Sequence, residues 1–150
     1  MEKVKLYNMC RILDEKTNKV LVQERIKDWG GIAFPGGKVE TGESIVGSTI
    51  REIKEETGLN ITDLRICGIK NWYHKEKEER HLIILFSTSS FSGELLEISG
   101  EGKNYWIEEE AIKGLKTADD FDKLLDVYNN DKLNEMTYVE DNGSWRLDLL

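Results

Sequence analysis

Apolar and polar residues alternate through Val4–Leu13 and again through Lys19–Glu24. The polar run Asp14-Glu15-Lys16-Thr17-Asn18 between them predicts the turn of a first β-hairpin. Strand patterns rich in β-branched and aromatic residues also cover Leu64–Trp72, His81–Ser89 and Asn104–Ile107. The period changes between them. Val46, Ile50, Ile53 and Thr57 recur at i, i+4, i+7 and i+11, which predicts a helix over Glu43–Thr57 with that stripe facing the core and Gly58 as its stop. Phe121, Leu124, Leu125 and Tyr128 predict a second helix over Ala118–Asn129, and this stripe reads as core. Met136–Glu140 and Trp145–Leu149 flank Asp141-Asn142-Gly143, a favoured hairpin turn. Strands mixed with two helices predict an α/β layered fold.

Composition narrows the class. The 150 residues, with no repeat, linker or low-complexity stretch and a single proline, Pro35, read as one domain over 1–150. At 39% apolar and 33% charged the chain is too hydrophobic for disorder and too polar for a membrane protein. Its longest apolar run, Leu82-Ile83-Ile84-Leu85-Phe86, falls far short of a bilayer span. No signal peptide is visible, and Cys10 and Cys67 lie in apolar contexts without metal-type spacing. Buried, reduced thiols and a cytoplasmic location are the expectation. A net charge of -8 excludes general binding to a nucleic-acid polymer. An anionic substrate would need another source of positive charge, and a metal ion is the natural one.

The informative segment runs from Gly36-Gly37-Lys38 to Gly58-Leu59. On a helix, Glu55 lies about 60° to one side of Glu52 and Glu56 about 40° to the other. Three carboxylates then share one face within a turn, where like charges repel. Such a face can be plain solvated surface, or it can hold a hard divalent cation such as Mg²⁺. Pro35-Gly36-Gly37 in front of it reads as a rigid turn without side chains, where backbone could approach a ligand closely.

Gly37, five residues, Glu43, seven residues, Arg51-Glu52-Ile53, one residue, Glu55-Glu56, one residue, Gly58-Leu59 resembles a complete Nudix box, matched at every specified position across 23 residues. Phe34-Pro35-Gly36-Gly37-Lys38-Val39-Glu40 resembles its usual flank. The chain is identified on this ground as a member of the Nudix superfamily. The resemblance implies an α/β/α sandwich around a mixed sheet and Mg²⁺-dependent hydrolysis, with Mn²⁺ able to substitute, of a nucleoside diphosphate linked to another group. It also implies that Glu52, Glu55 and Glu56 bind metal, with a backbone carbonyl near Gly36 or Gly37 as a further ligand. Glu52 would in addition orient or deprotonate the attacking water. Arg51 would orient the carboxylates, and Glu43 would pair with it, a role that a purely structural ion pair also explains.

Substrate choice must come from outside the box. Ser99-Gly100-Glu101-Gly102 followed by Tyr105-Trp106-Ile107 is similar to an arrangement in MutT-like nucleoside triphosphate hydrolases. There the loop glutamate adds a metal contact or acts as base. Glu101, set between glycines in what reads as a mobile, exposed loop, is the candidate, with Glu97 the alternative and plain surface loop the bland reading. Trp106 reads as packing. Asp119-Asp120 before Phe121 and Leu124-Leu125 resembles the purine-reading segment of oxidised-purine nucleoside triphosphatases. The aromatic residue often placed two positions before the first aspartate is Thr117 here, and helix capping by Asp119 is an equal reading. Arg25 and Lys38 could touch phosphates or be ordinary surface charge. Neither His74 nor His81 has a partner at metal spacing. The proline of ADP-ribose pyrophosphatases beyond the box is missing.

The resemblance therefore implies a Mg²⁺-dependent pyrophosphohydrolase of a small nucleotide, with no nucleic-acid polymer and no membrane as partner. The expected substrate is 8-oxo-dGTP or a related purine nucleoside triphosphate, cleaved to monophosphate and pyrophosphate. The alternatives are a dinucleoside polyphosphate, ADP-ribose, or a non-catalytic nucleotide sensor. The sensor predicts a degraded box, and this box is intact.

Overall fold

In the computed structural model of the chain, which describes residues 1–26 and 30–150, β1 (Lys3–Asp14) turns back into β2 (Lys19–Arg25), with Leu13 opposite Val20. Two short strands follow that carry no alternation of their own, β3 (Gly31–Ala33) and β4 (Gly36–Lys38). The bare turn expected at Pro35–Gly37 is thus replaced by a strand, antiparallel to β1 with Asn8 opposite Gly37. A Cβ on Gly36 would collide with the Asn8 carbonyl, so the missing side chain is what lets β4 lie against β1.

Helix α1 (Ile45–Thr57) begins two residues later than its pattern predicts. Ser44 caps it, its Oγ accepting from the Gly47 N–H at 2.9 Å, and Gly58 ends it at φ 79° with its N–H on the Lys54 carbonyl. Beyond come β5 (Asn60–Thr62), β6 (Arg65–His74), a 3₁₀ turn at Lys75–Lys77, β7 (Glu79–Thr88) and β8 (Ser90–Ser92). The chain closes with β9 (Gly102–Ile107), α2 (Phe121–Asn129), β10 (Glu135–Asp141) and β11 (Ser144–Leu149). In the last hairpin Asp141 faces Ser144, and Asn142 and Gly143 both take positive φ, the turn that suits strand twist.

The main sheet runs β11-β10-β6-β7-β1-β2-β3, with β4 joined to β1 and β9 to β2. It is mixed: β1 with β7 and β10 with β6 are parallel, the other pairs antiparallel. Helix α1 covers one face, where Ile53 packs with Cys10, Ile12, Leu21 and Phe86. Helix α2 covers the other, where Phe121, Leu124 and Tyr128 pack on Phe34, Leu85 and Met136. The result is the α/β/α sandwich. Among the described residues no helix is long and apolar enough to cross a membrane.

Two core expectations need correction. Val46 is 45% exposed, whereas Ser48 and Thr49 are fully buried. The first turn of α1 faces β4 and the Asn8 amide rather than an apolar surface, so small hydroxyl residues fill that contact. Cys10 is buried, and burial pushes its thiol up to about 12, but Cys67 sits half-buried at a bulge in β6. Trp106 packs against Phe91, with ring centres 5.1 Å apart, on the α1 side.

Candidate active site

Asn8 laces β4 to α1. Its Oδ1 accepts from the Gly37 N–H at 3.0 Å and its Nδ2 donates to Ser48 Oγ at 3.1 Å. That contact sets Gly37 directly beside Glu52, whose carboxylate fills the space a Cβ on Gly37 would need. Arg51 is the hub of the face. Its Nε and Nη2 donate to the two oxygens of Glu43 at 2.8 and 2.7 Å, and its Nη1 donates to Glu52 at 3.0 Å and Glu55 at 3.2 Å. Nη2 also reaches the Lys38 carbonyl at 3.1 Å. These hydrogen bonds hold the Glu43 carboxyl down at about 2.

The three box glutamates occupy one side of α1, and two of them share one nitrogen of Arg51. Glu52 and Glu55 are drawn to Arg51, and the Glu55 side chain is 57% exposed. Glu56 turns inward, where Gln23 Nε2 stands 3.5 Å from its Oε2. Among the described residues no three acidic, histidine or cysteine side chains gather as a ready-made metal site. Burial, then repulsion by Glu52 and Glu101, pushes Glu56 up to about 7 against the pull of Arg25 and the Gly36 backbone. Burial raises Glu52 as well, opposed by Arg51. Hard oxygen donors that repel one another beside a side-chain-free strand fit a divalent cation, which would relieve that repulsion.

Glu101 sits at the tip of a tight turn in which Ser99 and Gly102 exchange backbone hydrogen bonds of 2.9 and 3.3 Å. Its carbonyl accepts from the Ile26 N–H at 3.3 Å, so the loop expected to be mobile is exposed but tied to the end of β2. That tie brings Glu101 and Arg25 within electrostatic reach of Glu56. The Lys38 side chain is exposed. Glu97 is exposed too, and its carbonyl accepts from the Asn104 N–H.

Asp119 and Asp120 stand together at the start of α2, on the opposite face of the sheet from α1. Asp120 occupies the capping position with φ 56° but makes no side-chain cap. Its carboxylate instead accepts from the Tyr138 hydroxyl at 2.5 Å. Asp119 does not cap the helix either, since no side-chain hydrogen bond closes its N-terminus. His81 lies stacked between Trp72, at 4.9 Å, and Tyr7, at 5.8 Å.

Sequence reasoning missed four residues that shape these surroundings. Gln23, 1% exposed, donates to Asn104 Oδ1 at 3.2 Å, and Asn104 Nδ2 donates to the carbonyls of Glu56 and Leu96, each at 2.8 Å. A glutamine closing the apolar run Val20-Leu21-Val22 was the available signal. Lys70 and Tyr138 flank the aspartates, and a lysine inside the apolar strand Ile69–Trp72 was the sign of it.

The chain matches the NUDIX domain family over residues 7–126. It is 30% identical over 118 residues to the uncharacterized Nudix hydrolase YvcI of Bacillus subtilis, covering 77% of this chain and 73% of that protein. It is 31% identical to the 8-oxo-dGTP diphosphatase of Proteus vulgaris, over 67% of this chain and 90% of that one. An ADP-ribose pyrophosphatase of Methanocaldococcus jannaschii is 36% identical over 54% of this chain and 49% of its own length. Among solved structures, the MutT mutator protein of Bacillus halodurans superposes with a TM-score of 0.78 at 27% identity, over 96% of this chain and 97% of that one. With the box on α1, the mixed sheet and these matches in agreement, the chain belongs to the Nudix family as a MutT-like pyrophosphohydrolase.

Proposed function

We propose that the protein hydrolyses a purine nucleoside triphosphate, 8-oxo-dGTP or a close relative, to the monophosphate and pyrophosphate. The observation that carries this reading is the Asp120 carboxylate, turned from the helix end it could cap toward Tyr138 of β10, on the α2 face of the sheet. An acceptor placed there suits the N1 and exocyclic amine donors of a guanine-type base. The relationship to the Proteus vulgaris 8-oxo-dGTP diphosphatase supports the same substrate class.

In this reading Glu52, Glu55 and Glu56 hold Mg²⁺, with Mn²⁺ as a substitute and a carbonyl near Gly37 as a further ligand. The bound ion supplies charge neutralisation and an acidified water. Glu52 or Glu101 orients and deprotonates the attacking water, and Arg51 fixes Glu52 and Glu55. Arg25, at the end of β2, and Lys38, at the end of β4, contact the phosphates. ADP-ribose is the second reading, favoured by the Methanocaldococcus jannaschii relative. A panel of nucleoside triphosphates, their oxidised forms, dinucleoside polyphosphates and ADP-ribose, incubated with Mg²⁺ and resolved by mass, decides between them. Preferential release of pyrophosphate from purine triphosphates supports the first reading, and preferential cleavage of ADP-ribose replaces it.

A further inference from the structure

Strand register places Lys70 and Trp72 on one face of the sheet. Lys70 lies opposite Met136 on β10 and Ile83 on β7, and Trp72 lies opposite Tyr138 and His81. Met136 and Ile83 run under α2, so this is the face on which Asp119 and Asp120 open. The Lys70 ammonium lies 5.7 Å from the Trp72 ring centre and 5.7 Å from that of Tyr138. Those two rings meet edge to face at 81°. Among the described residues Lys70 forms no hydrogen bond and no ion pair within 4.0 Å. The two aspartates act on it only through space, favouring its charge while burial opposes it.

Lys70 is partly buried. Its ammonium keeps some contact with solvent, lies against two aromatic rings without a hydrogen-bond partner among the described residues, and is within electrostatic reach of the two aspartates. Resting on the purine reading above, we propose that Lys70 reads the carbonyl edge of a guanine-type base, with Trp72 and Tyr138 as apolar walls and Asp119 and Asp120 as acceptors for the neighbouring donors.

The donor count supports this choice. An ammonium only donates and carboxylates only accept. A guanine-type base offers O6 and N7 as acceptors beside N1–H and N2–H₂ donors, whereas adenine places a donor at the O6 position. Lys70 at O6 with the aspartates at N1 and N2 pairs each of these three groups with a partner of the right kind. Over adenine the same lysine would meet a donor. The walls supplied by Trp72 and Tyr138 come from β6 and β10, which accounts for an unremarkable Thr117 at the position where related enzymes place an aromatic residue.

The test compares KM for GTP, ITP, ATP and CTP, with Mg²⁺, in the wild type and in Lys70→Met and Lys70→Arg. GTP and ITP share O6. Lys70→Met should raise KM for both by about tenfold or more relative to ATP and CTP, and Lys70→Arg should restore most of the preference. An equal change for all four nucleotides, or none, overturns the assignment of Lys70 alone. A wild type that does not prefer GTP and ITP to CTP overturns the purine reading and this proposal with it. If Lys70→Met does not fold by thermal unfolding, Asp119→Asn, at an exposed side chain, carries the test. It should weaken GTP more than ITP, which lacks the 2-amino group, and equal weakening overturns the proposed orientation.

Discussion

Arg51 grips Glu43 through both carboxylate oxygens, at 2.7 and 2.8 Å, while its remaining nitrogen is shared between Glu52 and Glu55. The guanidinium thus ties the residue before the helix cap to two glutamates a full turn and more inside it. Glu43 is the anchor of this arrangement, since Arg51 supplies most of the pull that keeps it ionised. Replacing Glu43 with Gln leaves Arg51 free to pair more fully with Glu52. With Glu52 holding Mg²⁺ as proposed, the Mg²⁺ needed for half-maximal activity should rise by about ten- to a hundredfold, the usual effect of removing the partner of a metal ligand. A titration of activity against Mg²⁺ measures this. An unchanged midpoint would reduce the pair to a structural tie.

Glu56 couples stability to pH. Its folded-state value of about 7 lies above the ordinary 4.5, so the folded protein holds this proton more tightly than the unfolded chain. The associated stability is complete below pH 4.5 and is lost as pH rises through about 7, a change on the order of 3 kcal/mol. Glu56→Gln removes the ionisation. In chelator, the variant should therefore unfold at a higher temperature than wild type at pH 8 and match it near pH 4. Mg²⁺ should stabilise the wild type more than the variant, and its affinity for the wild type should climb through pH 7. Identical melting curves at pH 8 would show that Glu56 is not held near neutrality.

Glu101 and Glu97 compete for one role. Only Glu101 acts electrostatically on Glu56, through a turn pinned to β2 by the Ile26 amide. Glu101→Ala should lower kcat at least tenfold, roughly 1.4 kcal/mol of transition-state stabilisation, with little effect on melting. Glu97→Ala should be close to silent. The reverse result moves the role to Glu97.

Asn104 supports Glu56 from below, its amide satisfying the Glu56 and Leu96 carbonyls while its oxygen accepts from Gln23. Alanine there leaves buried partners unmatched, at about 1–3 kcal/mol for each group that stays dry. The melting temperature should fall by about 10 °C. Calorimetry provides the measurement. A drop within a degree or two of wild type would mean that water replaces the amide.

Local patterns carried a large part of this structure in the sequence. The 3.6-residue period and Gly58 give α1 its end and place its start within two residues, and helix geometry alone puts Glu52, Glu55 and Glu56 on one side of it. Asn142-Gly143 dictates the last hairpin because few residues tolerate two successive positive φ values. Those interactions span a few residues, so a few residues encode them. Tertiary structure decided the rest. Strands β3 and β4 are three residues long, too short to carry an alternation, and exist because β2 and β1 offer them partners. Glu56 finds Gln23 only because β2 packs beneath α1. Lys70 meets Tyr138 only through the parallel pairing of β6 with β10, between which α2 intervenes. A pairing between strands more than sixty residues apart depends on how both sheet faces pack, and no local period in the chain records it.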